Sequence, residues 1–354
     1  MTTSEPGHVR RGSRVTIFDV AVAAGVSYST VSRVVNGQRH IAPATRQRVE
    51  RAMADLGYVA DLRARSLAGG STKILGLLLL DINSDYMAEI VRAVDDEVSR
   101  SGYDLMLCTT HSRTGDPGDY VRRLAPGLVD GLMILVPQDP DRYLQALRVP
   151  GFPHVLIDHH GPLAGSSIVR ATNDVGVRDA VRHLAGLGHT RLTHLRGDEG
   201  QDTTRIREQA FTDECRRLGL AATVAPGGYG EADGFASATA VLDVPAERRP
   251  TALLTANDAS ALGVLAAARS LGVDVPGDVS VVGFDDVTSA RLTSPQLTTV
   301  RQPLDRMGRA ATELLLDQLG PEPGPARLVE LPTELVVRES SGPPRPAAVP
   351  AAGR

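Results

Sequence analysis

Ile17, Val20, Ala21 and Ala24, followed by Val26, Val31 and Val34, are spaced as the inner faces of two short helices packed together. Thr16 stands three residues before Asp19, the spacing of a capping box, so the first helix starts there and runs to about Ala24. Gly25 supplies the tight turn, where a positive φ is cheap only for glycine. Ser27 can cap a second helix, Tyr28 to about Val35, which Asn36-Gly37 ends. Pro43 suits the first position of a third helix closing near Leu56. From Ile74 onward the pattern changes to short apolar runs alternating with amphipathic stretches. The predicted strands are 74–80, 105–108, 131–135, 155–158, 192–195, 252–255 and 279–284. Helical patterns fill 88–101, 177–187, 203–218 and 260–271 between them. Such alternation means parallel sheets covered by helices, and roughly 260 residues fit two such lobes better than one.

Charge sharpens this division. Residues 1–65 hold ten arginines against five acids, while the whole chain carries -4, so a basic head precedes an acidic body. That asymmetry suits a head that binds a polyanion. The two cysteines, Cys108 and Cys215, lie in apolar segments and read as reduced packing residues. The N-terminal stretch has no apolar core of a signal peptide, and the longest apolar run, Ile74 to Leu80, is too short to span a bilayer. A cytoplasmic protein is expected.

Two short helices joined by a glycine turn, with Tyr28, Ser29 and Arg33 on the outer face of the second, form a helix-turn-helix pattern. The second helix fits a major groove, where arginine can bond guanine O6 and N7 together. The run Val15 to Ala21, Gly25 to Asn36, Thr45-Arg46 and Ala52 to Tyr58 resembles the DNA-reading signature of the lactose/galactose-repressor family. By that resemblance Tyr28, Ser29 and Arg33 touch bases. Thr16, Ser27, Thr30, Ser32, Asn36 and Arg46 hold backbone phosphates or brace the fold. Residues 60–70 carry Ala64, Leu67 and Ala68 at helical spacing but are too few for a stable isolated helix. The resemblance implies a hinge helix here that folds on DNA, with Leu67 wedged into the minor groove. Ala60-Asp61 replaces the family's usual Pro-Asn before it.

The body resembles the same family's effector domain, itself similar to periplasmic sugar-binding proteins. The matching pieces are Val129-Asp130-Gly131-Leu132, His183-Leu184, Gly188 to Leu192, Arg207 with Phe211, Thr255 to Asp258, Val282 to Asp286, and Leu297 to Gln302. Sugars are neutral polyols, held by carboxylates, amides and Arg on paired hydroxyls and by an aromatic face under the ring. In open α/β sheets ligands sit outside the carboxyl ends of the strands, where Asp81, Asp158, Asn257-Asp258 and Asp285 stand. The resemblance implies effector contacts at Asp158, Thr203, Arg207, Tyr229, Asn257, Asp285 and Gln302. Asp81 and Tyr86 lie in a loop where Ser84-Asp85-Tyr86 replaces the family's Asn-Pro-Phe. Asp258 and Asp286 can also be read simply as helix caps, and His159-His160 as ordinary loop histidines.

Together these readings predict a helix-turn-helix head over 14–60, a hinge over 61–72 and a two-lobed α/β effector and dimerisation domain over 73–340. A disordered Pro/Ala tail is expected over 341–354. The implied protein is a repressor acting on near-palindromic double-stranded DNA as a homodimer, since one helix-turn-helix covers half of a two-fold site. The carboxylate-rich contact set favours a mono- or disaccharide effector over a purine-like co-repressor or a protein partner. No GxxxxGK or GxSxG motif occurs and no third ligand joins His159-His160, so an enzyme, a cofactor and a metal site are not expected. An exported sugar-binding protein would share the body but has no use for the head.

Overall fold

The computed structural model describes residues 15–35, 41–58, 71–110, 117–124, 127–135, 145–147, 152–163 and 165–345. The chain divides into two compact units, the first ending at Thr72 and the second beginning at Lys73. No helix among the described residues is long and apolar enough to cross a membrane.

In the head, α1 (Ile17–Ala24), α2 (Tyr28–Val35) and α3 (Pro43–Leu56) follow the spacing of the apolar residues. The capping box at the start of α1 is present: Asp19 N–H donates to Thr16 Oγ1 and Thr16 N–H donates back to Asp19 Oδ2. Gly25 closes α1 at φ 62°. Val20, Ala21, Ala24, Val31, Val34, Val49 and Ala52 form the small core where the three helices meet.

The second unit is built on two six-stranded sheets. The first contains β1 (Ile74–Leu79), β2 (Asp104–Thr109), β3 (Gly131–Leu135), β4 (His154–Ile157), β5 (Ser167–Ala171) and β11 (Leu328–Leu331). Its order is β11-β5-β4-β3-β1-β2, and every pairing is parallel. The second contains β6 (Arg191–Leu195), β7 (Ala221–Ala225), β8 (Ala252–Thr255), β9 (Ser280–Asp285), β10 (Thr298–Arg301) and β12 (Glu334–Val336). Its order is β12-β10-β9-β8-β6-β7, with only β12 antiparallel. The central strands β3 and β9 are buried along their whole length, as sheets covered on both faces require.

Helices α4 (Asp85–Arg100) and α10 (Leu304–Gln318) pack together on the first sheet and close its core around Leu75, Leu77, Ile90, Val94, Met133 and Met307. The first lobe also carries α5 (Pro117–Leu124). The second sheet is covered by α6 (Asn173–Gly186) and α7 (Asp202–Leu218) on one face, and by α8 (Glu231–Leu242) and α9 (Asp258–Ser270) on the other. The chain passes between lobes three times: from β5 into α6, from β10 into α10, and from β11 into β12. The first and third crossings lie side by side, with Thr333 N–H donating to Thr172 Oγ1 at 3.1 Å and Thr333 Oγ1 to the Thr172 carbonyl at 3.0 Å.

The chain remains packed past residue 340, so the expected disordered tail does not begin at 341. Ser341 Oγ bonds His183 and Thr298, the Gly342 carbonyl meets His189 and Ser280, and Arg345 pairs with Asp274 and Asp278. These polar anchors do what apolar bulk was expected to be missing for.

Helices α8 and α9 approach closely because glycines face each other. A Cβ on Gly263 would run into the Glu231 carbonyl, and one on Gly234 into that of Ser260. Gly263→Ala is therefore expected to cost about 1–3 kcal/mol in urea unfolding through overpacking. Gly186→Ala, at a helical position with open space around it, is expected to stabilise by about 0.5–1 kcal/mol. Equal effects of the two would show that the helix contact is not tight.

Candidate functional site

On the head, Ser27 Oγ accepts from Thr30 N–H at 3.3 Å and shares hydroxyl bonds of 2.9 Å with Ser29 and Thr30, so it caps α2. Thr16 is likewise engaged in its capping box. Both residues serve the fold first. Tyr28, Ser29 and Arg33 are exposed on one side of α2, opposite buried Val31 and Val34. Thr30, Ser32 and Arg46 are half-buried. Asn36, Ala64, Leu67 and Ala68 lie outside the described residues.

In the body, Tyr86, Asp158, Arg207, Asp285 and Gln302 come together between the lobes. Tyr86, in the first turn of α4, donates its hydroxyl to Asp158 Oδ2 at 3.1 Å. The other Asp158 oxygen lies 3.3 Å from His160 Nε2, which also lies 3.1 Å from Asn173 Nδ2. Asn173 Oδ1 accepts from Arg207 Nε at 2.8 Å, and Arg207 donates on to the Ala256 carbonyl. The guanidinium lies 3.7 Å over the Phe284 ring. This continuous chain runs from the first lobe, through the first crossing, into the second.

Across from it, Gln302 Nε2 donates to Asp285 Oδ1 at 2.8 Å, while buried Gln302 Oε1 has no partner among the described residues. Burial pushes the Asp285 carboxyl up to about 7, against the opposing pull of Arg207 and Gln302. Burial, then Asp158, raises the Tyr86 phenol well above its ordinary value. Asp158 and Asp285 both hold positive φ, at 58° and 122°. Such strain in side chains other than glycine collects at functional sites.

Thr203 sits one turn before Arg207 on α7, and its hydroxyl lies 3.1 Å from that of Tyr229. Asn257 spends Oδ1 on capping α9 through Ser260 N–H. Asp81 bonds the Asn83 N–H and shares no bond with the cluster among the described residues.

Several readings need correction. Asp258 does not cap α9. It is fully buried and accepts from Thr299 Oγ1 and Val287 N–H. Asp286 caps nothing either, since its buried carboxylate is gripped by Arg291, Arg301 and Arg338. His160 is no ordinary loop histidine but a link in the interlobe chain. Asn173 was not anticipated because β5, which delivers it, was not recognised as a strand. Among the described residues no His, Cys, Asp and Glu side chains cluster as a metal would need.

A helix-turn-helix followed by two Rossmann-like lobes with a polar cleft is the architecture of a DNA-binding regulator. Residues 16–61 match the model of bacterial regulatory proteins of the lacI family, and residues 181–341 match a periplasmic binding protein-like domain. The chain is 34% identical over 332 residues to the HTH-type transcriptional repressor PurR of Proteus mirabilis, covering 92% of this chain and 96% of that one. Among solved structures, the lac repressor dimer bound to operator and the anti-inducer ONPF is similar at TM-score 0.79 and 30% identity, over 93% of this chain and all of that one. A CelR–cellobiose complex is similar at TM-score 0.69 and 32% identity, with the same coverage. The chain belongs to the lacI family of bacterial regulatory proteins, and it is a DNA-binding transcriptional repressor.

The second lobe also buries a histidine directly behind Arg207. His194 Nδ1 bonds the Leu254 carbonyl at 2.9 Å, which leaves Nε2 as a buried acceptor without a partner among the described residues. Burial holds its pKa down at about 4, against 6.5 ordinarily. A depressed histidine supports folding fully above pH 6.5 and loses that support as pH falls toward 4, on the order of 3 kcal/mol in all. Asp285 has the opposite sign, because its raised value weakens folding as pH climbs from about 4 through 7. His194→Leu is expected to make urea stability less steep between pH 6.5 and 4 by about one proton. An unchanged slope would mean that His194 is not held neutral.

Proposed function

We propose that this repressor's affinity for its operator is controlled by a mono- or disaccharide bound between the two lobes. The observation that carries this is the buried Gln302 Oε1, which has no hydrogen-bond partner among the described residues and belongs to the amide that donates to Asp285. A buried acceptor left open beside a carboxyl asks for a ligand hydroxyl or N–H, and a polyol supplies several such donors side by side. Asp158, Thr203, Arg207, Tyr229 and Asn257 complete the contact set, with Tyr86 and Asp81 on the first lobe's side. A purine-like co-repressor is the second reading, favoured by the relatives named PurR.

On DNA, Tyr28, Ser29 and Arg33 read bases. Ser32, Asn36 and Arg46 hold phosphates beside the capping hydroxyls of Thr16, Ser27 and Thr30. Ala64, Leu67 and Ala68 form the hinge that enters the minor groove. The protein acts in the cytoplasm as a homodimer. The first lobe supports pairing with an exposed apolar groove of roughly 420 Å³, lined by Ile82, Met87, Val91, Leu105 and Leu107. Arg92 and Asp95 share that face, so a two-fold copy can set opposite charges against each other.

The full-length protein is to be screened by thermal shift against mono- and disaccharides, purine bases and nucleosides. A sugar is expected to raise the melting temperature; a rise with purines alone would select the second reading. Asp285→Asn is expected to weaken that sugar at least tenfold, the scale of a charge-assisted hydrogen bond. Operator binding without effector stays near wild type. A variant that still responds at unchanged sugar concentration contradicts this pocket. Arg33→Ala is expected to cost about 1–3 kcal/mol on a selected operator and little on scrambled DNA; equal losses on both would reduce Arg33 to a phosphate contact.

A further inference from the structure

The head exposes aromatic surface that its own fold does not use. Phe18, the second residue of α1, is 62% exposed and takes no part in the three-helix core. It stacks on Tyr28, the first residue of α2, with ring centroids 5.0 Å apart and planes 17° from parallel. Tyr28 is itself 47% exposed. Stacking covers one face of each ring and leaves the outer face and edges in solvent. Capping already fixes the start of both helices through Thr16, Asp19 and Ser27, so the stack is not needed to hold them.

Its position gives it a use. The pair is continuous with Ser29 and Arg33, which lie one helical turn apart on α2. The surface therefore joins hydroxyl, guanidinium and aromatic groups in one strip. The floor of a major groove offers hydrogen-bonding edges almost everywhere, and its one apolar feature is the 5-methyl group of thymine. An exposed aromatic edge beside base-reading polar groups fits that methyl and has no comparable match on phosphate or sugar.

We propose that Phe18, held by its stack on Tyr28, is a specificity-determining residue that reads a thymine methyl in each operator half-site. This rests on the assignment of α2 as the reading helix, and the test separates the two. With full-length wild-type protein, an operator is first selected from a randomised duplex library. Each of its thymines is then replaced, symmetrically in both halves, by deoxyuridine, which lacks only the methyl. At one position wild type is expected to lose about fourfold in affinity per half-site, the worth of one buried methyl group. Phe18→Ala is expected to bind the uracil duplex as wild type does, to melt at the same temperature, and to be indifferent to that methyl. Equal sensitivity of wild type and Phe18→Ala at every position, or no sensitive position at all, overturns the proposal while leaving the reading helix in place. Failure of wild type to select any sequence removes both.

Discussion

Everything in the second unit hangs on three chain crossings between two lobes that each have their own sheet and core. Because two crossings are bonded to each other through Thr172 and Thr333, the lobes share one narrow hinge. Two polar side chains of the cleft stand on the crossings themselves: Asn173 follows Thr172, and Gln302 follows β10. A ligand that bonds either of them touches the hinge directly. Only a ligand with different affinity for two lobe arrangements can shift their balance, and this placement supplies a physical route for such a difference.

The turn after β9 shows how the cleft is kept in shape. Three consecutive residues point to three different duties. Asp285 faces Gln302 in the cleft, Asp286 is clamped by Arg291, Arg301 and Arg338, and Val287 joins the core of the first lobe. Asp285 and Asp286 both carry positive φ, at a cost of order 1–3 kcal/mol each. Asp258 binds the Val287 N–H from below, and Glu89 of the first lobe takes the Thr288 N–H at 3.1 Å. The Asp286 carboxylate is wholly buried while Arg291 and Arg301 stay partly in solvent, so the clamp satisfies that carboxylate from three sides and fixes the strained turn in place. The site thus presents a carboxyl that burial raises to about 7, able to accept from a ligand hydroxyl when ionised and to donate to one when protonated.

Much of this was legible in the sequence, for definite reasons. The head's caps, turn glycine and apolar spacing are local signals, and they placed α1, α2 and α3 correctly. The central strands were visible because burial on both faces makes them continuous apolar runs. Strands β5, β7, β10, β11 and β12 were not: β7 is Ala-Ala-Thr-Val-Ala with its first three residues exposed, and β11 is Leu-Val-Glu-Leu, buried only at its last residue, so neither gives a long apolar run. Helix α8 escaped notice because Gly234 and Ala238, rather than a strong apolar stripe, make most of its buried contacts; α10 does carry such a stripe, in Leu304, Met307, Ala311, Leu314 and Leu315, and could have been read from it. The family resemblance carried the motif residues Asp285, Arg207 and Gln302 to the cleft. It said nothing of the links between them. The roles of Asn173 and His160 depend on a crossing that joins residues distant in sequence, and Asp286 needed three arginines brought together from three separate segments.

The central claim is that effector binding alters the arrangement of the lobes about this hinge. Its most direct measurement is the distance between spin labels at Ser99→Cys on α4 and Ala240→Cys on α8, both exposed sites, in labelled protein diluted with unlabelled protein. The native Cys108 and Cys215 are buried and stay unlabelled under native conditions. The sugar found by screening is expected to shift the interlobe distance distribution, and the shift is expected to be lost in Asn173→Ala even when saturating sugar is bound. An unchanged distribution in wild-type protein with the sugar demonstrably bound would contradict the central claim.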